Sequence, residues 1–226
     1  MPEPNHTRLV IFDCDGVLVD SEPIACRVMA RELTALGYPL SPDDCQERFT
    51  GVSMKTVMAM IEADWGQALS AGFEDHLREK DFEAFRAELE PVPGVEEMLA
   101  DLDIPRCVAS SGTPEKIRFT LTVTGLIDAF EPHLFSARMV EHGKPAPDLF
   151  LHAAERMATP PGSCVVVEDS VAGIQAARAA GMRVLGFAGA GHAGPGYAES
   201  LAAAGADTVF TRMPDLPTLL ADRTYI

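Results

Sequence analysis

Near the start of the chain a four-residue apolar run, Leu9-Val10-Ile11-Phe12, stops abruptly at Asp13-Cys14-Asp15-Gly16. A short apolar run bounded by acid and glycine is the pattern of a strand buried on both faces of a parallel sheet. Carboxylates at the carboxyl end of such a strand lie where open α/β sheets bind their ligands. Two like charges this close are costly unless a cation neutralises them or one of them holds a proton. The tetrapeptide therefore points to a metal site, a carboxylate nucleophile, or both. Cys14 stands between the acids, but strand alternation turns its side chain the other way. It reads as packing.

The rest of the chain supplies the sheet that such a strand needs. From Pro91 onward short apolar runs alternate with helical patterns. Strands are expected at 104–109, near 133–135, and at 164–167, 183–187 and 207–210. Helices are expected over about 94–102, from Thr113 to Gly125, and over 147–157 and 171–180, while the Gly- and Ala-rich stretch 188–196 reads as a loop. That alternation makes a parallel, doubly wound α/β sheet with right-handed crossovers.

Between Val19 and Pro91 no strand-like run occurs. Ser21, with Glu22 and Pro23 behind it, is expected to cap a helix carrying Ile24, Val28, Leu33 and Leu36 and ending at Gly37. Ser41 opens a short helix, Ser53 a third with Val57, Met60 and Ile61, and 72–88 a fourth with Leu77, Phe82 and Phe85. The expected organisation is a core of residues 1–20 and 91–226 interrupted by an α-helical insert at 21–90.

A chain of 226 residues, 47% of them hydrophobic, suits one globular domain plus an insert. It holds no apolar run of about 18 residues, so no membrane span is expected, and Met1 to His6 lacks a secretory pattern. The five cysteines are scattered without a CxxC pair, which argues against a disulfide framework or zinc and for the cytoplasm. A net charge of −16 disfavours nucleic acid and anionic membranes as partners. It does not disfavour a small anionic substrate, whose site is set by local charge. A monomer or weak homodimer is expected.

Three further polar stations follow strand or loop ends. Ser110-Ser111-Gly112 precedes a helix, where a hydroxyl and backbone amides either bind an anion or merely cap the helix. Gly143-Lys144-Pro145-Ala146-Pro147-Asp148 holds one lysine in a stiff loop, either as a positioned cation or as a solvated side chain. Glu168-Asp169-Ser170 is a second acid pair after an apolar run, Val165-Val166-Val167. Two acid pairs at like positions of one sheet suggest a hard divalent cation, and Mg²⁺ suits a site with few carboxylates and room for a phosphoryl oxygen. Together the stations fit phosphoryl transfer. Asp13 attacks phosphorus and forms an aspartyl-phosphate. Asp15 gives and then takes a proton, while Lys144, Mg²⁺ and Ser110 stabilise the phosphoryl oxygens.

Asp13-Cys14-Asp15-Gly16-Val17-Leu18-Val19-Asp20, Ser110, Lys144-Pro145 and Glu168-Asp169-Ser170-Val171-Ala172-Gly173 resemble, in order and spacing, the four motifs of the haloacid dehalogenase-like hydrolases. The resemblance implies a Rossmann-like core with a small helical cap. It implies Asp13 as nucleophile, Asp15 as acid/base, and Ser110 and Lys144 as phosphate-binding residues. Mg²⁺ would be held by Asp13, the carbonyl of Asp15 and Asp169, with Glu168 close behind. Glu22, Thr50, Gly51, Ser53 and Lys55 of the cap, with Ser111 and Gly112 of the core, become candidates to contact a small phosphorylated substrate. Within the family the chain is most similar to the sugar-phosphatase and β-phosphoglucomutase-like branch, nearest the 6-phosphogluconate phosphatase type. Asp15 sets it apart from the dehalogenases. Ala25, where mutases carry histidine, and the neutral Thr50 and Met54 set it apart from the mutases. Lys55 is a cap lysine, as in phosphonatases, but reads as a solvated helix residue. A phosphosugar mutase and a non-catalytic phospholigand-binding protein stand as the alternatives.

Overall fold

Leu9–Phe12 (β1), Arg106–Ser110 (β2), Leu134–Ser136 (β3), Cys164–Glu168 (β4), Arg183–Phe187 (β5) and Thr208–Phe210 (β6) pair in parallel in the order β3-β2-β1-β4-β5-β6. This is the arrangement in the computed structural model, which describes residues 7–50 and 52–221. The chain runs outward from β1 to β3, returns to β4 on the far side of β1, and then runs outward to β6. The reversal lies between β1 and β4, so the ligand crevice of an open sheet falls at their carboxyl ends. Every residue of β1 and β4 is buried, as expected for strands covered on both faces.

The strands differ from the sequence pattern mainly at their ends. Pro105 has no N–H to offer, so only its carbonyl joins the ladder, accepting from Val10 N at 2.9 Å, and β2 begins at Arg106. At the other end, pairing continues past the apolar residues. Ser110 pairs with Ser136 and Glu168 with Gly186, so two polar stations are themselves the last residues of strands. Leu9, Ile11, Cys107, Ala109 and Val166 form one core cluster with Leu149, Phe150 and Ile174 from the flanking helices.

The chain divides into two compact units, 1–20 with 90–226, and 21–89. The second unit is helical: Glu22–Leu36 (α1), Pro42–Phe49 (α2), Met54–Trp65 (α3) and Phe73–Glu88 (α4). It has its own core of Val28, Met29, Leu33, Ile61, Phe73 and Leu77. Ser41 and Ser53 cap α2 and α3 by accepting from Asp44 N and Thr56 N. Ser21 does not cap α1: it already has helical backbone angles, and its side chain makes no cap bond. Leu36 and Met60 are exposed, contrary to the helical stripe. The left-handed Gly37 (φ 98°) turns the chain back, and Tyr38 and Leu40 fill the cluster in place of Leu36.

The remaining helices, Val95–Asp101 (α5), Pro114–Val123 (α6), Asp148–Arg156 (α7), Val171–Ala179 (α8), Tyr197–Ala203 (α9) and Leu216–Ala221 (α10), belong to the sheet unit. Neither α9 nor α10 is signalled by the sequence. Both are under two turns long, and Leu201 is the one buried residue of α9. All five cysteines are buried, and none is in a disulfide. Among the described residues no helix is long and apolar enough to cross a membrane.

Burial separates two leucines of α1. Leu33→Ala, at 0% exposure, should lower unfolding free energy by about 2–5 kcal/mol. Leu36→Ala, at 51% exposure, should change it by less than about 0.5 kcal/mol. Urea denaturation followed by circular dichroism checks both, and equal losses would contradict the packing described here.

Candidate active site

β2 and β4 end in the polar residues Ser110 and Glu168, and Asp13 follows β1 directly, at the head of a closed turn that carries the second acid, Asp15. Asp13 N continues the ladder by donating to Val167 O at 3.0 Å. Cys14 O then accepts from Leu18 N and Val19 N at 2.9 and 3.1 Å, and Gly16 N donates to Val19 O at 2.9 Å. The closed turn needs a left-handed residue, Gly16 (φ 74°). It also needs a bare one, since a Cβ there would lie 1.9 Å from Asp169 Oδ2.

Lys144 sits at the centre. Its ammonium donates to Asp13 Oδ1 at 2.9 Å and to Glu168 Oε1 at 2.5 Å, with its side chain 4% exposed. The Phe150 ring lies 5.0 Å from Nζ, adding an aromatic face to the cation's surroundings. The other oxygen of Glu168 accepts from Ser170 N and Ser170 Oγ at 2.8 and 2.9 Å. Ser170 Oγ in turn caps α8 by accepting from Gly173 N at 3.0 Å. Burial would lower the Lys144 pKa, but Asp13 and Glu168 more than offset this and hold it above the ordinary lysine value. For Asp13, burial comes first and raises the pKa well above the usual carboxylate value against the pull of Lys144, with Glu168 and Asp169 adding to the rise.

Asp13, Glu168 and Asp169 each offer one carboxylate oxygen, all within 4.8 Å of one another and all buried. Three acids against one lysine leave this pocket with excess negative charge. All-oxygen donors in such a pocket fit a hard divalent cation, which would also remove the repulsion that burdens Asp13.

Asp15 has a lysine partner of its own: Lys116 Nζ donates to its Oδ2 at 2.9 Å. Ser110 is 1% exposed, and its Oγ accepts from Gly112 N at 3.1 Å. The helix-capping reading of Ser110 does not hold, because Thr113 caps α6 by accepting from Lys116 N. Gly112 is half-buried and its carbonyl accepts from Ser136 Oγ at 2.6 Å, while Ser111 is exposed. Cys14 is buried with its Sγ 3.6 Å from Thr120 Oγ1. Burial and then Asp15 hold its thiol well above the usual pKa, so it is an inert packing group.

The candidates of the helical unit have local roles of their own. Thr50 Oγ1 donates to Gln46 O at 2.7 Å, and Ser53 Oγ caps α3. Glu22 is the first residue of α1 and half-buried; Lys55 is exposed; Gly51 lies outside the described residues. Three residues at the crevice have no sequence signal that singles them out. Lys116 lies 101 positions from Asp15, and His192 and Tyr197 reach Asp169 from the Gly- and Ala-rich stretch and the helix after it.

Residues 7–181 match the family model described as haloacid dehalogenase-like hydrolase. The 6-phosphogluconate phosphatase of Escherichia coli (strain K12) is 33% identical over 222 residues, covering 98% of each chain. Among solved structures, a conserved haloacid dehalogenase-like protein from Agrobacterium tumefaciens str. C58 is 44% identical, with a TM-score of 0.86 over 95% of this chain and 97% of that one. A HAD family hydrolase from Deinococcus radiodurans R1, solved with bound phosphate and sodium, is 32% identical, with a TM-score of 0.80 over 95% of each chain.

Gly173 provides a sharp test of the packing around Glu168. Alanine is the better helix former by about 1 kcal/mol, so propensity alone predicts that Gly173→Ala stabilises α8. A Cβ there would lie 1.8 Å from Glu168 Oε1, however. The substitution should instead destabilise by about 1–3 kcal/mol, measured by urea denaturation.

Proposed function

This chain belongs to the haloacid dehalogenase-like hydrolase family and is a phosphoric monoester hydrolase, and we propose that it hydrolyses a small phosphorylated sugar or sugar acid with Mg²⁺ through an aspartyl-phosphate. The observation that carries this reading is the Lys144 ammonium held between Asp13 and Glu168 at the carboxyl ends of β1 and β4. A fixed positive charge beside a buried carboxylate is what an incoming phosphoryl group needs, because its oxygens must be neutralised while a carboxylate approaches phosphorus.

In the first half-reaction an Asp13 oxygen attacks phosphorus in line and the bond to the leaving alkoxide breaks. Asp15 donates a proton to that oxygen. In the second, Asp15 takes a proton from water, whose oxygen attacks the aspartyl-phosphate, releasing phosphate and restoring Asp13. Lys144 keeps its proton throughout and balances charge on the equatorial oxygens, with Ser110 and the adjacent backbone at the same end of β2. Mg²⁺, held by Asp13, the carbonyl of Asp15, Asp169 and Glu168, would supply Lewis-acid neutralisation of the phosphoryl oxygens. Lys116, paired with Asp15 Oδ2, restrains that carboxylate.

The sugar-acid assignment draws on the end-to-end match to the relative named for 6-phosphogluconate. We assign choice among substrates to the helical unit acting as a cap, with Glu22, Thr50, Gly51, Ser53 and Lys55 as its candidates and Ser111 and Gly112 as those of the core.

Purified protein with Mg²⁺ should release phosphate from p-nitrophenyl phosphate, and EDTA should stop it. A turnover panel of hexose phosphates, 6-phosphogluconate, phosphoglycolate, β-glucose 1-phosphate and nucleotides should rank a sugar or sugar-acid phosphate first. Best turnover on a nucleotide would overturn the substrate class. Isomerisation without net phosphate release would make the protein a mutase, and tight binding without turnover a sensor.

The acids should separate by role. Asp13→Asn should abolish the phosphoryl-enzyme seen by acid-quenched ³²P labelling or mass spectrometry. Asp15→Asn should slow poor leaving groups by about 10²–10⁴-fold and p-nitrophenol much less. Wild-type rates in Asp13→Asn would refute the nucleophile.

A further inference from the structure

The stretch 188–196 reads in sequence as a plain Gly/Ala loop, yet its first part is pinned. Ala188 N donates to Phe210 O at 2.9 Å and Gly191 N to Asp20 Oδ1 at 3.1 Å. A Cβ on Gly189 would lie 2.1 Å from Thr211 O, so this glycine allows close backbone approach. The pinned loop places His192, whose side chain is fully buried, against a carboxylate of the candidate metal cluster. His192 Nε2 lies 3.1 Å from Asp169 Oδ2 and 3.0 Å from Tyr197 Oη.

The hydrogen bonds around that nitrogen fix its role. Tyr197 Oη donates to the Asp169 carbonyl at 2.7 Å. A tyrosine hydroxyl has one proton, so toward His192 its oxygen can only accept. Nε2 must therefore carry the hydrogen, shared between Tyr197 Oη and Asp169 Oδ2. The two rings meet edge to face with centroids 5.1 Å apart. Asp169 is thus held twice, by its carboxylate from His192 and by its carbonyl from Tyr197. Gly16 closes the third side: a Cβ there would lie 2.7 Å from His192 Cε1 as well as against Asp169.

We propose that His192 and Tyr197 are positioning residues for the divalent cation, orienting Asp169 as a ligand from a shell behind the metal. The inference rests on the metal site proposed above. Outer-shell partners of metal-binding carboxylates fix ligand direction, and their loss commonly weakens metal affinity by about 10–100-fold. A structural role alone would lower stability without moving the metal constant.

The test is calorimetric titration of MgCl₂ into the full chain without substrate. His192→Ala and Tyr197→Phe should each weaken Mg²⁺ binding by about 10–100-fold. His192→Gln, which keeps an N–H donor at similar reach, should recover most of that loss. In turnover, raising Mg²⁺ should restore kcat in Tyr197→Phe while the Mg²⁺ needed for half-maximal rate stays high. If His192→Ala does not fold, Tyr197→Phe against His192→Gln still decides. Unchanged Mg²⁺ affinity in folded Tyr197→Phe, His192→Gln as weak as a folded His192→Ala, or no Mg²⁺ binding by the wild-type protein would each overturn the inference. Weakened binding in the variants, with no phosphate released from any monoester by the wild type, would overturn the phosphatase reading and leave this one standing.

Discussion

The buried ammonium of Lys144 is the interaction on which the site depends. A lysine taken out of water is stable as a cation only if opposite charges meet it, and here Asp13 and Glu168 do so from the ends of adjacent strands. Removing Lys144 would leave two buried carboxylates uncompensated, so the trio also ties together the parts that carry it. β1 brings Asp13, β4 brings Glu168, and the proline-flanked loop after β3 brings Lys144. Because β1 and β4 are neighbours only through the reversal of strand order, the topology of the sheet and the charge balance of the site are one constraint.

Bringing carboxylates this close to backbone requires positions without side chains. Gly173 opens the first turn of α8 to Glu168, and Gly16 opens the turn after β1 to Asp169. Gly189 lets the loop before His192 lie against Thr211. Each is a point where a methyl group would occupy space already held by an acid or a carbonyl oxygen. The acids are therefore confined by packing, and the lysine supplies the attraction that packing alone cannot. The net charge of −16 has no bearing on this balance. Local pairs decide it: Lys144 stands against Asp13 and Glu168, and Lys116 against Asp15.

Local patterns carried much of this. The apolar runs behind Asp13 and Glu168 are legible because a strand buried on both faces needs an uninterrupted apolar stretch, and the acids that end them stand out against it. The parallel sheet follows from the alternation with helices, and Lys144 stands out in a loop stiffened by prolines. The patterns failed where an answer depended on neighbours distant in sequence. Leu36 fits the helical stripe of α1, but Tyr38 and Leu40 took its place after Gly37 turned the chain. Ser21 has the right identity for a cap and the wrong backbone angles. Helices α9 and α10 are too short to show a period.

The sequence by itself determined the candidates for chemistry: each apolar run and the acid pair that ends it are written within a few neighbouring positions. Only the tertiary structure decided how those residues are held. It joined Lys116 to Asp15 across 101 positions, gave Glu168 a serine and a lysine at once, and turned a glycine- and alanine-rich loop into the support for Asp169. Such contacts depend on where the folded chain brings its surfaces together. Hydrogen-bond geometry and close packing select them, and neither leaves a period or a spacing in the sequence.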